Sequence, residues 1–275
     1  MRSRFKFSLP GFGITMGITL TYLGVLIVFP ILVLIWKSLG LGWATYFDIM
    51  LRVSVLQAFG VSIGCALAAA VLNGFFGFLV AWVHIRYNYF GKKIMDALID
   101  LPFALPTSVA GIALASAFGP TGVLGQFLAE LGIHVAYTRV GVVLALTFVG
   151  LPFVIRTVEP VLAKLNYEYE EASFCLGAKR WTTFRRVLLP LLFPSILTGM
   201  GLSFARALGE YGSVVFISGN LPGQTQIVPL LIMTKLEQFD YAAAMAISTT
   251  MLVVAFVVLL MINGFKAWQY RWVVK

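Results

Sequence analysis

The chain has 275 residues, of which 60% are hydrophobic and only 11% charged. With a mean hydropathy of +0.94, it has more apolar surface than a soluble fold can bury, so it reads as an all-α, multi-pass membrane protein. The net charge of +9 does not point to nucleic acid, because the cations flank apolar runs next to membrane lipid and form no basic tract.

Residues 1–13 form a short segment with Arg2, Arg4 and Lys6. The apolar run that follows, Ile14 to Trp36, is too long for the core of a signal peptide and lacks a small-residue cleavage site. It is therefore expected to remain as the first span, with a more polar outer part completing residues 14–56, where Trp43, Tyr46 and Phe47 suit an interface. The main body, residues 57–263, is predicted to hold five further spans. Gln57–Val83 is rich in small residues, as close helix packing requires. Ile94–Phe118 contains Asp96, Asp100, Pro102 and Pro106, and Leu124–Leu131 suits a short interfacial helix. Arg139–Ile155 is the fourth span, with Pro152 near its end. Leu191–Ile217 and Ala242–Asn263 are the fifth and sixth, separated by a polar outer loop from Ser218 to Tyr241 that carries a Pro-flanked apolar patch, Pro222 to Ile232. Residues 264–275 read as a basic, aromatic tail.

The two termini, the 84–95 turn and the 156–190 segment hold 15 of the 20 Lys and Arg residues. Placing these on one side predicts six spans with the N and C termini in the cytoplasm. Cys175 then lies in a reducing compartment. Cys65 and Cys175 share no metal-ligand spacing, so neither a disulfide nor a metal site is expected.

Two His residues far apart form no base–nucleophile set, and no G-x-x-x-x-G-K-[ST] loop is present. Catalysis and ATP binding by this chain itself are therefore not expected. Asp96 and Asp100 lie near the end of a span, where solvation or pairing with Lys92 and Lys93 accounts for them. The exception at membrane depth is Arg206 with Glu210, four residues apart and able to pair. Two readings stand: a self-neutralising packing pair, or a pathway arginine whose rotamer the glutamate fixes, with Ser203 and Ser213 adding hydroxyl donors. Pro102 and Pro106 likewise read either as a kink or as a broken, pore-lining helix.

The most polar stretch runs from Glu170 to Pro190. Glu168–Leu176 is predicted to be a short helix with acids at its N-terminal end, stopped by Gly177 in a left-handed conformation. A second helix, Ala178–Leu189, is predicted to stop at Pro190. The spacing is specific: Glu171-Ala172-Ser173, three residues, Gly177, nine residues, then Val187-Leu188-Leu189-Pro190. It resembles the EAA loop of binding-protein-dependent ABC importer permeases, with Ser173 in place of alanine.

From residue 57 to 263 the chain is similar to the type I ABC importer permease fold. Four stretches together resemble the T-type permease of the sulfate/thiosulfate importer: DALIDLPFALPTSVAG from Asp96, LPFVIRTVEPVL from Leu151, EYEEASFCLGAKRW from Glu168 and RALGEYGSVVFISGN from Arg206. The molybdate/tungstate permease is close kin, and a stand-alone anion carrier is the rival from another class. The resemblance implies a bacterial inner-membrane complex with a second permease of the W type, two copies of an ATPase that hold ATP and Mg, and a periplasmic sulfate-binding protein. It also implies that Glu170, Glu171, Ala172, Ser173, Gly177 and Ala178 form a cytoplasmic peg docked on the ATPase, and that the Ser218–Tyr241 loop meets the binding protein.

Overall fold

The computed structural model describes residues 12–165 and 167–273, within which all regular structure is helical. Arg2, Arg4 and Lys6 of the expected N-terminal segment lie outside these residues. In chain order the helices are α1 (Phe12–Leu39), α2 (Trp43–Met50), α3 (Val53–Arg86), α4 (Lys92–Ala104), α5 (Thr107–Phe118), α6 (Val123–Glu130), α7 (Arg139–Lys164), α8 (Glu168–Cys175), α9 (Arg180–Leu208), α10 (Val214–Ile217), α11 (Val228–Glu237) and α12 (Tyr241–Val273). Five of them, α1, α3, α7, α9 and α12, are each long and apolar enough to cross a bilayer. The pair α4 and α5 makes a sixth span only if taken together across a bend of 111°.

The core is built where α3, α7 and α9 meet at Val154, which has no exposed surface. A Cβ on Gly199 of α9 would lie 2.7 Å from Val154 Cα, and one on Gly77 of α3 would lie 2.9 Å from its Cβ. Only glycine admits backbones this close, which is how membrane helices gain dispersion contact without a hydrophobic driving force. The same seam is pinned by Asn73 of α3, which donates to Ser203 Oγ of α9 at 2.9 Å. A second core joins α2, α3, α11 and α12 through Ile49, Val55, Val228, Leu231 and Ile247. There the orphan N–H of Val228, in the first turn of α11, donates to Ser62 Oγ at 2.7 Å. By contrast, the apolar window of α1 buries none of its residues.

Several expected boundaries are corrected. Pro190 does not halt a helix: α9 runs through it, and the fourth span continues to Lys164 through Pro152 and Pro160. The turn ahead of Pro190 is wider than α-helical, with Leu189 N–H bonding to Phe184 O five residues back. That relieves the clash between a proline ring and the carbonyl four residues earlier. Pro30 is handled in the same way by a wide turn at Gly24–Val28.

The third span is not continuous. Pro102 stays inside α4, and the chain breaks at Leu105 and Pro106, where Leu105 is extended as a residue before proline should be. The expected fifth span, α9, ends at Leu208, short of Ile217. The Ser218–Tyr241 stretch is not a loop throughout: its apolar patch leads into α11, whose Val228, Leu230 and Leu231 are buried. The expected tail at 264–275 continues the last helix as far as Val273.

Candidate functional site

Two regions hold the site residues expected from sequence, and α3, α7 and α9 join them. The first is α8, which starts with Glu168, Glu170 and Glu171 in its first turn, where the helix dipole favours negative charge. It stops as expected at Gly177, whose φ is +79°. Gly177 N–H bonds to Phe174 O at 2.9 Å and Ala178 N–H to Ser173 O at 3.1 Å, a pair of bonds that closes the C-terminal turn and fixes the exit direction.

The inner face of α8 is tied down at two points. Glu170 pairs with Arg86 at the end of α3 at 2.8 Å, and the Arg86 guanidinium sits 4.8 Å from the Tyr167 ring centre and 5.5 Å from that of Trp82. Ser173, buried, shares a 2.9 Å hydrogen bond with Thr183 of α9. The small residue at the third position of the EAA-like motif thus forms a polar anchor that alanine could not supply. The outer face is left free: Glu171, Ala172 and Gly177 are exposed, Ala178 is half-buried, and Leu176 is 88% exposed. A rigid peg with an exposed apolar tip is a surface suited to a partner.

The second region is the meeting of two helix breaks. The turn after α9 carries Gly209, Glu210 and Gly212, and it packs against the start of α5. Gly212 lies against Thr107 and Ser108, while a Cβ on Gly111 would lie 2.8 Å from Ser213 Cα. Arg206 Nη1 pairs with Glu210 Oε2 at 2.7 Å. Glu210 lies beyond the helix end, so the pair is closed across the turn at Gly209 and not along one helix face.

Glu210 is 1% exposed and also accepts from Ser213 N–H at 2.9 Å and Ser213 Oγ at 3.0 Å. The Arg206 side chain keeps 35% of its surface exposed. Pro106 is exposed and Pro102 half-buried beside this break. Ser203 is fully buried with its hydroxyl engaged by Asn73, so it is held in the packing seam.

Sequence reading missed Arg156. It lies in α7, three residues before Glu159, and it grips three carboxylates. Its Nε and Nη2 donate to Asp100 at 2.8 and 2.6 Å, Nη2 also to Asp96 at 2.8 Å, and Nη1 to Glu159 at 2.7 Å. His84 Nε2 lies 3.5 Å from Asp96. Of the two accounts expected for Asp96 and Asp100, solvation holds in part, since both side chains are half exposed; the cation that pairs with them is Arg156 and not Lys92 or Lys93, and Lys92 Nζ donates to the Tyr87 carbonyl at 3.3 Å. The clue in the sequence was an arginine in helical register with Phe153 and Glu159, masked because the span was expected to end at Ile155. Among the described residues no group of three or more His, Cys, Asp or Glu is arranged to hold a metal ion.

The family model for the binding-protein-dependent transport system inner membrane component matches residues 73–275. The sulfate transport system permease protein CysT of Salmonella typhimurium is 44% identical over 259 residues, covering 94% of each chain. The protein of the same name from Synechococcus elongatus is 47% identical over 254 residues, covering 92% of this chain and 91% of its own. Among solved structures, a bacterial ABC transporter that imports the polysaccharide alginate superposes with a TM-score of 0.74 at 14% identity, over 93% of this chain and 94% of that one. An amino acid ABC transporter superposes with a TM-score of 0.56 at 15% identity, over 82% and 97%. At those identities the structures share the fold alone.

Proposed function

Because the chain belongs to the binding-protein-dependent transport system inner membrane component family, we propose that it is one of two permease subunits of an ATP-driven importer of sulfate and thiosulfate. The observation that carries the substrate is the kinship with sulfate permeases along almost the whole of both chains. The second permease of the W type, two ATPase copies binding ATP and Mg, and a periplasmic sulfate-binding protein complete the complex. The cation distribution supports both termini in the cytoplasm of a bacterium and the complex in its inner membrane.

In this reading the peg Glu168–Cys175 docks on the ATPase through its exposed side, and Glu170, Ser173 and Gly177 fix its angle to the membrane helices. When ATP closes the ATPase dimer, the pegs move and the two permeases swing between inward and outward access. The path runs past the two helix breaks. Broken helices present backbone groups and helix ends to an ion, which a membrane tolerates only beside protein or a cavity. The start of α5 offers the positive end of its dipole, and the exposed part of Arg206 offers donors to a dianion while Glu210 holds its rotamer. The chain does no covalent chemistry in this account.

The test is uptake of labelled sulfate by cells with and without the gene, repeated with excess molybdate. Loss of sulfate uptake on deletion, with weak competition by molybdate, is the expected result. Unchanged sulfate uptake moves molybdate or tungstate to the front.

A further inference from the structure

Helix α4 has little to hold it. Ile99 is its one buried residue, and α7 is the element along which it packs. Beyond Ile99, the contact consists of an edge-to-face pair, Phe103 with Phe153, at 5.2 Å between ring centres, and the grip of Arg156 on Asp96 and Asp100. Every nitrogen of that guanidinium is engaged by a carboxylate at 2.8 Å or less. Without the arginine, Asp96 and Asp100 of α4 face Glu159 of α7 with no cation between them. The same interface then repels.

The position of α4 gives this grip a consequence. Its C-terminal end leads straight into the break at Pro106 and so to the start of α5, against the Glu210–Ser213 turn. Its N-terminal half touches α3 through the His84–Asp96 contact, and α3 ends in Arg86, the residue that holds the peg. The peg is therefore linked through Arg86 to α3, through the His84–Asp96 contact to α4, and along α4, which Arg156 holds to α7, to the broken helix.

We propose that Arg156 is a positioning residue that locks α4 to α7, which itself packs along α3, so that displacement of the peg reaches the helix break as rigid motion. The proposal rests on the reading of Glu168–Cys175 as the coupling element. Lysine cannot replace it, because a point charge with three rotatable donors does not span three carboxylates at once, as the planar fork does.

The experiment uses the complete importer in proteoliposomes, with spin labels at Met95→Cys on α4 and Phe76→Cys on α3, both exposed, in a Cys175→Ser background. With Arg156 present, the distance between the labels is the same without nucleotide and with ATP trapped. In Arg156→Gln it differs between the two states, and sulfate moved per ATP hydrolysed falls about tenfold, within the usual range for a coupling free energy. The ATPase still co-purifies. Arg156→Lys behaves like Arg156→Gln. The exchange of Arg156→Asp with Asp100→Arg restores the constant distance and part of the yield.

The proposal is overturned if the distance changes with ATP when Arg156 is present, or if Arg156→Gln keeps wild-type yield. It is equally overturned if Arg156→Gln loses its ATPase and the charge exchange does not bring it back, since Arg156 would then serve assembly alone. The label distances do not depend on the substrate, so an error in the substrate reading shows itself separately, as absent sulfate uptake with Arg156 intact.

Discussion

Arg206→Gln destabilises the assembled chain by about 3 kcal/mol, the lower end of what breaking a buried ion pair costs, and lowers sulfate uptake by tenfold or more. The stability loss follows from Glu210, which is 1% exposed and retains only the two donors of Ser213 once the guanidinium is gone. The lower end applies because Arg206 itself is one third exposed, so part of its charge is already solvated. The double variant Arg206→Gln with Glu210→Gln separates packing from passage. It removes the uncompensated charge, and a thermal melt in detergent should return close to the wild-type midpoint. Uptake should stay low, because the donors facing the path are still missing. Recovery of uptake together with stability would mean that the pair serves packing only.

The second large effect is expected at Gly177. A Cβ there meets no atom within 4 Å, so the cost of Gly177→Leu is conformational: about 1–2 kcal/mol for an L-residue held in the left-handed region. On an eight-residue helix with a single buried side chain, that suffices to shift the population of the capped conformation by a factor of about 5–30. The chain should reach the membrane in normal amounts, while ATPase co-purification and uptake fall together. Glu171→Lys, which inverts an exposed charge at the start of the peg, should act the same way without strain. Normal ATP-driven uptake in either variant would remove the peg from the mechanism.

The helix Glu168–Cys175 was legible because its determinants are local. Acids at one end, a glycine at the other and a fixed spacing specify one helical segment and its stop, and the structure places Gly177 at the predicted turn. The prolines were legible as perturbations but not as boundaries. Pro190 and Pro152 lie inside helices because a wider turn or neighbouring helices can accommodate a missing N–H in a membrane; at Pro106 the chain breaks.

The pairing of Arg206 with Glu210 could be read from spacing alone, since the turn at Gly209 keeps the two groups close. The contacts that join different helices lie beyond the reach of spacing. Asn73 and Ser203 are 130 residues apart, and Ser62 and Val228 are 166 apart. Arg156 was hidden for a different reason: a cation at the expected end of a span is sufficiently explained by topology, and only the fold brings Asp96 and Asp100 to it.

The most direct test is accumulation of labelled sulfate by proteoliposomes containing the complete importer with its binding protein, with ATP supplied only on the ATPase side. Accumulation against the gradient that requires hydrolysable ATP, and that disappears with Gly177→Leu, is the result expected. Accumulation without ATP, driven by an ion gradient across this chain alone, would contradict the account and identify a secondary carrier.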